Sequence, residues 1–132
     1  MNRVPSEVVK AQADIESLYD IDLDNEPALS EAFEKIFSLN ATEFRAGIED
    51  DGNTEGVFFR RENGQQVYLM IMPCEQQMSE LELSGEANFV VYEDSEENEG
   101  PYGGECDPVN TPKTFDLWQD AKAEFIKQIQ EA

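Results

Sequence analysis

The chain contains no histidine, nine Lys and Arg, two cysteines and one tryptophan in 132 residues. Each scarcity narrows the chemistry. Without histidine, the usual general base for a Ser or Cys nucleophile and the commonest metal ligand are both missing. Cys74 and Cys106 lie 32 positions apart with no CxxC spacing, so a zinc site or dithiol centre has no support and two free thiols are expected. No segment approaches the ~18 consecutive apolar residues of a membrane helix. The first nine residues, with Arg3, Pro5 and Glu7, lack the apolar run of a secretory signal. The expectation is a soluble, cytoplasmic protein with no cofactor and no bound metal.

What is abundant is acid. Thirty Asp and Glu oppose nine Lys and Arg, for a formal net charge of −21. Hydrophobic residues still make up 39% and aromatics 10%, enough to build a core in one domain of this length. The charge is uneven. Residues 1–41 contribute −6, 42–93 −8, 94–112 −6 with no base at all, and 113–132 only −1. Solubility asks for a net charge of magnitude about 2 to 8 in a small domain, and the excess destabilises the compact state by self-repulsion.

Ser6 suits the start of a helix running to about Asp20, with Val8, Val9, Ile15, Leu18 and Tyr19 on an apolar stripe. Pro27 suits the first turn of a second helix carrying Leu29, Phe33, Ile36 and Phe37 and ending near Asn40. From Thr42 the period becomes two: Phe44, Ala46 and Ile48 alternate with charged residues, and Asp50-Asp51-Gly52-Asn53 supplies a turn. Val57–Arg61 reads as a strand, Asn63-Gly64 as a hairpin turn, and Gln66–Met72, apolar on both faces, as a central strand ended by Pro73. Leu81 and Leu83 alternate with Glu80 and Glu82 as a further strand before Phe89–Tyr92. Residues 94–112 read as a long acidic surface loop. Thr114 suits the cap of a last helix with Phe115, Trp118, Ala121, Phe125 and Ile129 on one face. The fold class is therefore α+β: a four- or five-stranded antiparallel sheet with two N-terminal helices and one C-terminal helix packed on it. Trp118 reads as core.

The run Asp20-x-Asp22-x-Asp24 with Glu31 at the twelfth place has calcium-loop spacing, but Asn25 stands where the sharp turn needs glycine and Pro27 removes a backbone donor. An acidic helix-capping loop fits better. Cys74 follows Pro73 at a strand end, but the neighbouring Glu75 disfavours a reactive thiolate. The glycines around Tyr102 lack a phosphate-loop lysine.

No enzymatic constellation emerges. Nucleic acid and anionic membrane would both be repelled, so the expected partner is a basic protein surface. Acids two apart on a strand lie about 7 Å apart, and helix neighbours three or four apart have Cβ atoms about 5–6 Å apart, spacings comparable to those of backbone phosphates. The leading expectation is a non-enzymatic inhibitor that presents a nucleic-acid-like surface to a nucleic-acid-binding protein or nuclease. An immunity protein or chaperone-like adaptor for another basic partner is the alternative. The expected contact residues are Asp50, Asp51 and Glu55 at one turn, with Glu96, Glu97, Glu99, Tyr102, Glu105 and Asp107 in the long loop.

Overall fold

The computed structural model describes residues 5–18, 21, 24–39, 44–48, 55–60, 65–73, 75–94 and 108–130. Two helices, α1 (Ser6–Glu16) and α2 (Glu26–Phe37), precede three strands, β1 (Phe44–Ile48), β2 (Glu55–Arg60) and β3 (Gln66–Ile71). A one-turn helix α3 (Glu75–Glu80), strands β4 (Phe89–Asp94) and β5 (Lys113–Phe115), and helix α4 (Trp118–Gln130) follow. The strands form one antiparallel sheet in the order β1-β2-β3-β4-β5. The expected α+β class is therefore what the chain adopts, with five strands.

Strand alternation divides the sheet into two faces. Val57, Val67, Leu69, Ile71, Phe89 and Val91 point to the first face and bury against Val8, Ala11 and Ile15 of α1, Phe33 and Phe37 of α2, and Trp118, Ala121 and Phe125 of α4. Aromatic contacts knit the layers: Phe33 lies 4.3 Å from Phe44, Phe37 5.1 Å from Phe125, and Trp118 5.4 Å from Phe89, centroid to centroid. Trp118 is core, as its spacing suggested. The second face carries Phe58, Tyr68, Met70, Val90 and Tyr92, with Met78 and Leu81 packed on them. β3 is buried at every position because both faces are covered.

Several local expectations require correction. Ser6 begins α1 but does not cap it; Pro5 occupies that place, and its carbonyl accepts from the Val9 amide at 3.1 Å. Val9 lies off the apolar stripe and is half exposed. The strand expected at Leu81 and Leu83 is instead the end of α3. Leu83 N donates to Met78 O at 2.9 Å and Glu82 N to Ser79 O at 3.0 Å, while Glu82 adopts a left-handed φ of 59°. This crossed pair of bonds closes a helix C-terminus, and the accompanying apolar contact brings Met78 and Leu83 into one cluster. Two leucines flanking a left-handed residue mimic strand alternation in the sequence.

Thr114 lies in β5 rather than capping a helix, and α4 starts four residues later. Its first amide, Trp118 N, donates to Glu7 Oε1 at 2.9 Å, so the cap comes from α1, 111 positions away. Asp94, expected to open a surface loop, ends β4 and is 1% exposed. The other end of that stretch is also structured. Asp94 pairs with Pro108, whereas Val91 pairs with Lys113. Three steps along β4 thus match five along the returning chain, a bulge between Pro108 and Lys113. Asn110 fills it by accepting from Glu93 N at 2.9 Å and donating to Gln128 Oε1 at 3.0 Å. At the β2–β3 hairpin, Arg60 pairs with Gln66. The turn expected at Asn63-Gly64 between them lies outside the described residues.

Candidate functional site

Of the contact residues expected from sequence, Glu55 is described. It opens β2 and is half-buried, and its Oε1 accepts from Gln12 Nε2 of α1 at 2.8 Å. This bond joins the helical layer to the sheet. Asp50, Asp51, Glu96, Glu97, Glu99, Tyr102, Glu105 and Asp107 lie outside the described residues, as do Cys74, Cys106, Asn63, Gly64, Asp20 and Asp22. Asn25, from the calcium-like spacing, caps α2: its Oδ1 accepts from Ala28 N at 3.3 Å.

A concave feature among the described residues lies at the opposite end of β3 and β4 from Arg60. β3 leaves the sheet at Met72, where a φ of 47° turns the chain into Pro73 and α3. Met72 N still donates to Asn88 O at 2.8 Å, extending the β3–β4 ladder by one step. Between α3, this elbow and the segment entering β4 lies an open groove of about 1080 Å³. Met72, Met78 and Leu83 supply much of its apolar lining, Pro5 closes it from the start of α1, and Glu75 and Glu86 add carboxylates. Met72 is 41% exposed, a large apolar side chain left partly open to water.

The groove walls are well tied. The α3 closure holds Leu83, and Asn88 Nδ2 donates to Asp116 O at 3.0 Å. Met72, Glu82 and Gly85 all have positive φ. An L side chain in that region costs about 1–2 kcal/mol at each non-glycine position, so the elbow holds its shape through contacts rather than through local preference.

The surrounding electrostatics are one-sided. From Glu62 to Pro112 the chain carries twelve acids and neither Lys nor Arg. Every charged residue lining the groove among the described residues is acidic. The lysines sit elsewhere, on α1, α2, β5 and α4, and several are engaged there. Lys10 Nζ lies 2.7 Å from Glu7 Oε2, Lys113 Nζ 3.3 Å from Glu124 Oε1, and Lys122 Nζ 5.3 Å from the centre of the Trp118 ring. Glu7 has a carboxyl pKa below its usual value because of its hydrogen bond to Lys10 and then the one from Trp118 N.

A second polar group is sealed rather than open. Gln66, Tyr68, Tyr92 and Asp94 are all 0–1% exposed on the second face. The Tyr68 hydroxyl donates to Gln66 Oε1, and the Phe58, Tyr68 and Tyr92 rings stack at 5.6 and 5.1 Å. These residues hold the sheet face and offer no access to a substrate. Among the described residues, no group of three or more His, Cys, Asp and Glu could hold a metal ion, and no helix is long and apolar enough to cross a membrane.

Sequence reading missed Met72, Met78, Leu83, Glu75 and Glu86 as neighbours. One signal pointed to them: the base-free stretch from Glu62 to Pro112 includes all five. Comparison with protein-family models, curated proteins and solved structures finds no match to this chain.

Proposed function

We propose that this chain is a non-enzymatic, cytoplasmic binding protein that docks on the basic surface of a nucleic-acid-binding protein or nuclease and blocks it by competition. The observation that carries this reading is the one-signed middle of the chain: twelve acids without a base from Glu62 to Pro112, with the five lysines on α1, α2, β5 and α4 and Arg45 and Arg60 on β1 and β2. A surface of one sign steers a basic partner into encounter and repels nucleic acid, so the two compete for the same partner. Asp50, Asp51, Glu55, Glu96, Glu97, Glu99, Glu105 and Asp107 are the acids assigned to this role, with Tyr102 as an aromatic anchor.

The apolar lining of the groove favours a second reading, an immunity-type or chaperone-like adaptor whose basic partner does not handle nucleic acid. One experiment separates the two. The immobilised protein is exposed to nuclease-treated native lysate at low salt, and captured proteins are eluted with duplex DNA, RNA or a salt gradient. A nucleic-acid-binding protein released by DNA or RNA, with affinity falling steeply as salt rises, supports the inhibitor. A partner indifferent to added nucleic acid overturns it, and retention at high salt then points to the adaptor.

A further inference from the structure

We infer that the groove between α3 and the β3–β4 end of the sheet is a peptide-docking site for a partner segment in which Lys or Arg alternates with bulky apolar residues. The site deepens the proposed function by naming what the basic partner inserts, and so rests on that reading for its biological meaning. Its physical basis is separate. Met72, Met78 and Leu83 form an apolar lining, and Met72 is left 41% exposed. Glu75 and Glu86, both exposed, lie in the same lining. An apolar side chain seated on Met72 removes its exposed surface from water, and methionine adapts to irregular shapes. A neighbouring cation meets carboxylates in the partly desolvated rim, where the attraction exceeds that in bulk water.

Charge complementarity selects this occupant over the others. A second copy of the chain would bring another −21 against the first. Nucleic acid is excluded on the same ground. An acidic or purely apolar segment would leave Glu75 and Glu86 without compensation while crowding them. The volume of about 1080 Å³ accommodates several side chains, more than one anchor needs.

The test uses the full chain and a fluorescein-labelled peptide of about ten residues alternating Arg and Leu, read by fluorescence anisotropy at about 50 mM and about 500 mM salt, conditions that bracket strong and weak screening. Arg/Ser and Glu/Leu peptides of the same length are the controls. The Arg/Leu peptide should bind at both salts, the Arg/Ser peptide only at low salt, and the Glu/Leu peptide at neither. Met72→Ser should weaken Arg/Leu binding by about fivefold at both salts. Glu86→Lys should weaken it by about tenfold at low salt and far less at high salt. Ser79 lines the groove and is exposed, so Ser79→Trp places a bulky ring in the groove without touching the core and should weaken binding while leaving the melting curve in place. Unchanged affinity in Met72→Ser and Ser79→Trp, or equal binding of all three peptides, overturns the inference. Groove-dependent peptide binding with no basic partner captured from lysate would instead remove the proposed function and leave the site standing.

Discussion

Replacing Asp14 by alanine should destabilise the fold by about 2 kcal/mol, within a range of about 1–3 kcal/mol for a buried donor left unpaired. Asp14 Oδ2 accepts from the Trp118 indole Nε1 at 2.8 Å, and the tryptophan is 3% exposed. Its ring packs against Phe37 and Phe89. Truncation removes the acceptor from the part-buried indole N–H. The Ser17 hydroxyl donates to the Asp14 carbonyl oxygen and does not use the Asp14 side chain, so the helix end is untouched. Loss of one acid among thirty relieves a few tenths of a kcal/mol of repulsion and does not cancel the effect. With a urea m-value of about 1.5 kcal/mol/M, the midpoint should fall by about 1 M. Far-UV circular dichroism can follow all members of a double-mutant cycle with Trp118→Phe, which removes the donor. Asp14→Ala should cost about 1–2 kcal/mol less in the Trp118→Phe background, and Asp14→Asn, which retains an oxygen acceptor, should cost less than alanine. An equal cost of Asp14→Ala in both backgrounds would refute the stabilising role of the Asp14–Trp118 bond.

Glu7→Gln should lower the urea midpoint at pH 7. The lowered pKa of Glu7 means its charged form is stabilised in the fold, first by Lys10 and then by Trp118 N. That contribution is complete above the unfolded value near 4.5 and is lost as pH falls through the folded value below it. The gap between wild type and variant should therefore close on acidification, and a gap independent of pH would remove this account. Phe37→Ala should cost about 3–5 kcal/mol, because its ring meets Phe33, Trp118 and Phe125. Val9→Ala should remain within about 0.5 kcal/mol since Val9 is half exposed; chemical denaturation showing equal losses would contradict the assigned helix face. Glu82→Gly should stabilise by about 0.5–1 kcal/mol by relieving the left-handed residue that closes α3, and a lower thermal midpoint would count against that closure.

Where local chemistry is strong, the sequence reports the fold well. Pro27 marks the first turn of α2, and the apolar spacing Trp118, Ala121, Phe125 marks the buried face of α4. The continuous apolar run in β3 marks a strand covered on both sides. The misreadings fall where distant contacts decide. β5 has three residues and exists through pairing with β4. α3 has six, and its C-terminal closure imitates a strand because Leu81 and Leu83 flank Glu82. The cap on α4 is a glutamate 111 positions upstream, invisible to any local window. Glu55, read from sequence as part of a turn, opens β2 and accepts a bond from Gln12, 43 positions upstream. The groove escaped detection because its lining is drawn from Pro5, the β3 exit, α3 and the segment before β4, which meet only after the sheet has formed.

The bonds from α4 to Glu7 and Asp14 also set an order of assembly. Chains emerge from the ribosome N-terminus first at about 5–20 residues per second, so α1, α2, α3 and all five strands are made before Trp118 appears. Until then Phe89 and Phe37 lack their tryptophan neighbour, and Glu7 and Asp14 lack the donors they meet in the finished domain. A chain interrupted before α4 would expose part of the first sheet face. Trp118 therefore acts as a completion mark, and its arrival separates a nascent chain with part of its sheet face open to water from the closed domain.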